Sequence, residues 1–234
     1  MKSIFFFCAV LPVLFAKEWD KVYLASFPRS GNHWVRFLVE EATHIATSSV
    51  YRDNNFPHLP TIFPWGGYCT DHGYSGNCRY PTKADPVLLK THYPYLPKMI
   101  DSDFSSVICL IRHPVDAFWS FHIYKQKTKK LIKINKKQLA DFIAGWKTFY
   151  EFWAKQPNVL FVRYEDLQEN TAQYLSSILQ TAGFSFSHDD VDRAVAKYPP
   201  RGTMLKHIGF YDDESIEIIR SRILDVMNRF GYDL

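Results

Sequence analysis

Cysteine is scarce in this chain, with four in 234 residues, too few for a fold built on disulfides. No internal repeat, low-complexity tract or linker-like stretch divides it, so at this length one domain is expected. The longest apolar run, Ile4–Ala16, would span roughly 20 Å as a helix, short of the ~30 Å hydrocarbon core of a bilayer. Net charge is also small. Twenty-eight Lys and Arg against 24 Asp and Glu leave +4, which argues against a broadly basic nucleic-acid binder. Neither G-x-x-x-x-G-K-[ST] nor G-x-G-x-x-G occurs, so a standard Walker A loop and a dinucleotide fingerprint are both excluded.

What is present points to a packed globular protein. Hydrophobic residues make up 47% of the chain, with 19 Phe, 14 Tyr and 6 Trp, a composition incompatible with disorder. At the N-terminus a single Lys precedes the apolar run, and Ala16 precedes polar Lys17-Glu18. Residues 1–16 therefore read as a cleavable signal peptide rather than a permanent anchor, although Leu14 is not the small residue such a cleavage site favours. The alternative is a hydrophobic arm packed on the domain, and the compartment follows the choice: secretory lumen, secreted or periplasmic in the first case, cytoplasmic in the second. Cys69 and Cys78 flank a turn-rich octet and are expected to close a small disulfide loop. Zinc binding by Cys69, His72 and Cys78 lacks a fourth ligand. Cys109, inside an apolar run, reads as a buried thiol.

Short apolar runs at 21–26, 87–90, 107–111 and 159–163 read as buried strands. Helical spacing covers 32–43, 116 onward, 138–155, 171–183 and 213–230, the last capped by Asp212 or Asp213. Residues 51–86 show no period and read as a long irregular loop. Strands alternating with helices predict a single α/β domain over 21–234, with a mostly parallel sheet covered on both faces.

Three segments carry chemistry. Phe27-Pro28-Arg29-Ser30-Gly31-Asn32-His33-Trp34 lies between a predicted strand and helix. Gly31 lets the backbone approach a ligand, the helix start offers unpaired N–H groups, and Arg29, Ser30, Asn32 and His33 add donors, so the loop suits phosphate or sulfate. Leu89-Lys90-Thr91-His92-Tyr93-Pro94 ends the second apolar run. Two residues apart on a strand, Lys90 and His92 share a face, where His92 can take a proton and Lys90 can hold negative charge. In the third segment, Arg112-His113-Pro114-Val115-Asp116 and Ser120 end a strand and open a helix. Arg112 and Ser120 can converge on a second phosphate, whereas Asp116 reads as a brace for the turn.

In these segments the sequence resembles the sulfotransferase family. Pro-x-Ser-Gly-x-x-Trp resembles that family's 5′-phosphosulfate loop, Lys-Thr-His-x-Pro the segment bearing the catalytic base in cytosolic-type members, and Arg-x-Pro-x-Asp-x-x-x-Ser its 3′-phosphate motif. Leu160–Leu167, with Tyr164-Glu165-Asp166, is similar to the segment whose Tyr contacts the adenosine end. The opening of the domain resembles most the WSC-domain-containing sulfotransferases, although no WSC domain is present. The resemblance covers roughly residues 21–232. It implies a P-loop-NTPase-like sulfotransferase fold and the donor 3′-phosphoadenosine 5′-phosphosulfate (PAPS), with His92, Arg29 and Lys90 as catalytic groups and no metal. Donor-binding residues by the same resemblance are Arg29, Ser30, Gly31, Asn32, His33, Trp34, Arg112, Ser120, Tyr164, Arg201 and Gly202.

The departures are specific. Arg29 stands where cytosolic-type members have Lys, Asn32-His33 where they have two Thr, and only Arg201-Gly202 of the late Arg-Lys-Gly is kept. Membrane-bound relatives often use a Glu as base, which makes Glu40 or Glu41 the alternative to His92. The expected reaction is sulfuryl transfer to a hydroxyl or amine of a small-molecule or glycan acceptor. The alternatives are a P-loop phosphotransferase or a non-catalytic nucleotide-binding protein. The 44–86 loop is expected to shape the acceptor pocket, and no oligomeric state follows. Residues 125–137 hold seven Lys and no acid, so the remainder of the +4 chain is net −3. That cluster is expected to steer an anionic donor or acceptor, to lie near a membrane, or simply to be solvated.

Overall fold

The computed structural model describes residues 19–52, 68–70, 72–96, 104–126, 133–200 and 207–234. Five parallel strands form one sheet: β1 (Asp20–Ser26), β2 (Ser48–Ser49), β3 (Pro86–Thr91), β4 (Ser106–Ile111) and β5 (Val159–Arg163), in spatial order β2-β3-β1-β4-β5. The helices are α1 (Asn32–Thr43), α2 (Pro114–Gln126), α3 (Lys136–Trp153), α4 (Tyr164–Glu169), α5 (Thr171–Thr181), α6 (His188–Lys197) and α7 (Asp213–Arg229), with a short 3-10 turn at Ile208–Phe210.

The central strands β1, β3 and β4 are largely apolar on both faces because helices cover both. Tyr23, Ala25, Val87, Leu89, Val107, Cys109 and Ile111 enter one core with α2, α3 and α7. Their strand neighbours Val22, Leu24, Leu88, Ile108 and Leu110 enter a second core with α1, α5 and α6. This is period-two alternation in a sheet buried twice. Strand order reverses at β1, whose neighbours are β3 on one side and β4 on the other. In such a sheet the ligand crevice lies at the carboxyl ends of the strands flanking the reversal. The three chemistry-bearing segments follow β1, β3 and β4.

Local signals explain the boundaries. Asn135 caps α3 by accepting the Gln138 N–H, and Asp212 caps α7 by accepting the Ser215 N–H at 2.9 Å. Ser187 and Asp190 close a capping box on α6. α2 begins at Pro114 rather than near Asp116, as suits a proline in the first turn. Strand β2 and helices α4 and α6 were not expected from the sequence.

One expectation is overturned. Cys69 and Cys78 are buried free thiols, and no disulfide joins them. The Cys69 thiol donates to the Thr47 carbonyl at 3.4 Å, while Cys78 lies 3.6 Å from the Glu40 carbonyl. Burial pushes the two thiols up to about 12 and about 11. Cys109 is buried, as expected. No metal-holding cluster occurs among the described residues, and no described helix is long and apolar enough to cross a membrane. The signal-peptide reading of residues 1–16 and the Arg201-Gly202 pair lie outside the described residues.

Candidate active site

The loop after β1 turns sharply, with the Ser30 N–H donating to the Phe27 carbonyl at 3.2 Å. Arg29 and Gly31 have φ of 72° and 96°. At Gly31 the ring of Tyr164 lies against the backbone, and a Cβ would stand 2.5 Å from Tyr164 Cδ2. The loop is pinned from below. Ser30 is buried with its hydroxyl 3.4 Å from that of Tyr150, which itself donates to the Leu110 carbonyl at 2.9 Å. Phe27 packs against Tyr95, Phe142 and Phe149.

Two guanidiniums meet above this loop. Arg112, just past β4, donates from Nη1 to the Arg29 carbonyl at 3.0 Å and lies 4.6 Å from the Tyr164 ring centroid. Arg29 donates from Nε to the Ser120 hydroxyl at 3.0 Å and lies 5.1 Å from the Tyr124 ring. Burial and the neighbouring Arg112 lower the pKa of Arg29. Among the described residues neither guanidinium ion-pairs a carboxylate, and the buried Arg112 Nε has no hydrogen-bond partner. Like charges held side by side, with a donor unused, are the makings of an anion site. Trp34 packs edge-on to Tyr164 at 5.8 Å and donates to the Tyr198 carbonyl at 2.8 Å.

The turn carrying Arg112 is fixed by α4. Glu165 Oε1 accepts the His113 N–H at 3.0 Å, and Oε2 accepts the Tyr232 hydroxyl at 2.5 Å. Asp116 is buried and lies 2.7 Å from His207 Nδ1, so it ties the start of α2 to the distant 207–210 segment.

On the other side of β1, His92 follows β3 directly. Its Nδ1 lies 2.6 Å from the Ser26 carbonyl, an acceptor, so Nδ1 carries the proton. Burial, then the charge of Lys90, pushes the imidazole down to about 3. His92 is therefore neutral near pH 7 with Nε2 unprotonated, the form a general base requires. The charge of Lys90, the last residue but one of β3, acts on His92, which lies just past the strand end. Asn32 donates to the Ser26 hydroxyl at 3.0 Å, and His33 Nδ1 lies 2.9 Å from the Tyr74 hydroxyl. Asn32 thus serves the floor beneath His92, whereas His33 turns toward the 72–76 turn.

The acidic alternatives are engaged elsewhere. Glu40 Oε1 accepts from the Thr47 N–H, the Thr47 hydroxyl and the Tyr74 N–H at 2.8, 2.6 and 3.0 Å, and Oε2 from the Ser75 N–H at 2.5 Å. Glu41 pairs Lys197 at 2.7 Å. Replacing Glu40 by Ala strands these buried donors and is expected to destabilise the protein by about 3 kcal/mol in denaturant unfolding, against under 1 kcal/mol for an exposed acid such as Asp141.

A cavity of about 340 Å³ opens between α2, α3 and the turn after His92, lined by Tyr95, Phe121, Lys125, Lys137, Gln138 and Phe142. Of the lysine cluster, Lys136 pairs Asp212 and Lys137 pairs Asp141, so its far end belongs to α3 and not to a free loop. Residues 127–132 of the cluster and 53–67 of the expected acceptor loop lie outside the described residues.

Residues 19–198 match the model of the sulfotransferase domain family. Sulfotransferase 6B1 of Pan troglodytes is 26% identical over 191 residues, covering 76% of this chain and 59% of that protein. WSCD family member CG9164 of Drosophila melanogaster is 30% identical over 174 residues, covering 69% and 50%. The chain thus spans half to three-fifths of the length of these relatives. Mouse sulfotransferase SULT7A1 complexed with PAP (the sulfuryl-free nucleotide of PAPS) has a similar fold, with TM-score 0.60, 18% identity and coverage of 90% and 86%. Retinol dehydratase with PAP and androsterone is similar at TM-score 0.57, 17% identity and coverage of 93% and 84%. With this family match over most of its length, five parallel strands, and the segments carrying Arg29, His92 and Arg112 gathered at one sheet reversal, the chain belongs to the sulfotransferase family.

Proposed function

We propose that this protein transfers a sulfuryl group from PAPS to a hydroxyl or amine of a small-molecule or glycan acceptor, with His92 as general base. The observation that carries this reading is the His92–Ser26 hydrogen bond, which puts the proton on Nδ1 and leaves Nε2 unprotonated at the end of β3, next to the β1 strand whose following loop carries Arg29. The residues present fit the donor. Arg29 and the Ser30–Trp34 backbone at the start of α1 suit the 5′-phosphosulfate, Arg112 and Ser120 the 3′-phosphate, and Tyr164 with Trp34 the adenosine end. By the resemblance alone, Arg201 and Gly202 join the 3′-phosphate group.

Bound there, PAPS supplies an activated sulfuryl group whose transfer leaves a phosphate oxyanion. The protein's part is to hold and neutralise. Arg29 and Lys90 stabilise charge on the transferring group and leaving phosphate, because fixed cations in a partly dry site need little reorganisation. His92 Nε2 takes the acceptor's proton, and the Ser26 carbonyl steadies the resulting imidazolium through Nδ1–H. Alignment of acceptor and donor adds the entropic share of the rate.

The donor choice is testable by binding. PAP at 100 times its dissociation constant is expected to stabilise the folded protein by about 2.7 kcal/mol, read as a rise in unfolding midpoint, with ATP giving less at equal concentration. Stabilisation by ATP and not by PAP would overturn the donor assignment in favour of a phosphotransferase.

A further inference from the structure

We propose that Tyr51 is a positioning residue for His92, clamping the imidazole in its base-competent orientation and shielding it from water. The inference rests on the base assignment above and adds to it a residue that the three sequence segments do not contain. Just past β2 the chain runs on beside β3, with the Val50 N–H donating to the Lys90 carbonyl at 3.1 Å. This brings Tyr51 over the end of that strand. Its ring lies parallel to the imidazole, with centroids 5.9 Å apart and planes 20° apart. Its hydroxyl accepts the His92 backbone N–H at 3.3 Å and also bonds the Thr91 side chain.

His92 is thus held from three directions. The Ser26 carbonyl of β1 takes Nδ1–H, the Tyr51 hydroxyl holds the main chain, and the Tyr51 ring covers one face. Among the described residues nothing hydrogen-bonds Nε2, which is left for the acceptor. The charged and titratable groups facing His92 are Lys90 on β3, His33 on α1 and Tyr51 itself. The Lys90 charge and the nearby His33 ring both disfavour the imidazolium, and burial keeps the Tyr51 phenol neutral by raising its pKa. Exclusion of water by the Tyr51 ring acts in the same direction as Lys90 and His33.

The test compares Tyr51→Leu and Tyr51→Phe with wild type and His92→Ala, using labelled PAPS with a phenol acceptor for transfer and calorimetry for PAP binding. Tyr51→Leu removes both clamp and shield. It is expected to lower kcat about 10- to 100-fold with PAP affinity within about twofold of wild type. The rehydrated imidazole moves toward its ordinary value of about 6.5, so an acidic limb near pH 6 appears in kcat/KM where wild type is flat. Tyr51→Phe keeps the ring, and is expected to keep the flat profile with a smaller loss of kcat. A wild-type kcat and flat profile in Tyr51→Leu would overturn the role of Tyr51, as would an equal loss of PAP binding. If His92→Ala abolishes transfer while Tyr51→Leu is silent, the Tyr51 role alone fails. Transfer that survives His92→Ala removes the base reading and the Tyr51 role together. An imidazole 15N titration of the PAP-bound variants reads the same shift independently of turnover.

Discussion

Replacing His92 by Ala is expected to lower kcat by about 10²–10⁴-fold, the share a positioned general base supplies. The expectation comes from protonation and not from exposure. The 2.6 Å contact to the Ser26 carbonyl fixes the tautomer, and the depressed pKa keeps Nε2 unprotonated across the physiological range. The acceptor's KM should change little, because the imidazole gives more to the transition state than to the bound acceptor. His92→Gln should fare no better, since an amide in that place is not basic. Steady-state transfer from labelled PAPS at saturating acceptor checks both variants.

Replacing Gly31 by Ala is expected to weaken PAP binding by at least about 100-fold, a loss of roughly 2.7 kcal/mol. Two independent strains converge there. The φ of 96° is a conformation L-residues avoid, at about 1–3 kcal/mol. The new methyl would also lie 2.5 Å from Tyr164, so the ring must move. Tyr164 cannot move without disturbing Trp34 and the Arg112 guanidinium that packs on it. Since the same loop carries Arg29, donor affinity should fall further than global stability. Calorimetric titration with PAP and a denaturation curve on the same sample separate the two effects.

The sheet was legible in the sequence because β1, β3 and β4 are buried on both faces and read as apolar runs with a turn after each, and β5 reads as a further apolar run. The same turns carry Arg29, His92 and Arg112, so the candidate site could be read wherever a strand stops. Strand β2 escaped because two serines carry no hydrophobic signal. Helix α4 escaped because Tyr164 immediately follows β5 with no loop between them. The disulfide expectation failed for a physical reason. Turn signals around 70–77 report that the chain reverses there, but the reversal is anchored by Glu40, whose carboxylate collects the Tyr74 and Ser75 N–H groups. Glu40, read as a possible base, is that anchor. Tyr51 was invisible for a related reason, because its contact with His92 joins residues 41 apart in the chain and depends wholly on the pairing of β2 with β3.

The central claim is that one site binds the donor through Arg29, Arg112 and the Gly31 loop while His92 alone removes the acceptor's proton. It is tested most directly by measuring PAP affinity and single-turnover transfer from labelled PAPS on the same samples of wild type and His92→Ala. The expected result is unchanged affinity with transfer lost in the variant, and wild type yielding sulfated acceptor and PAP in equal amounts. Equal loss of affinity and transfer, or transfer retained without the imidazole, would contradict it.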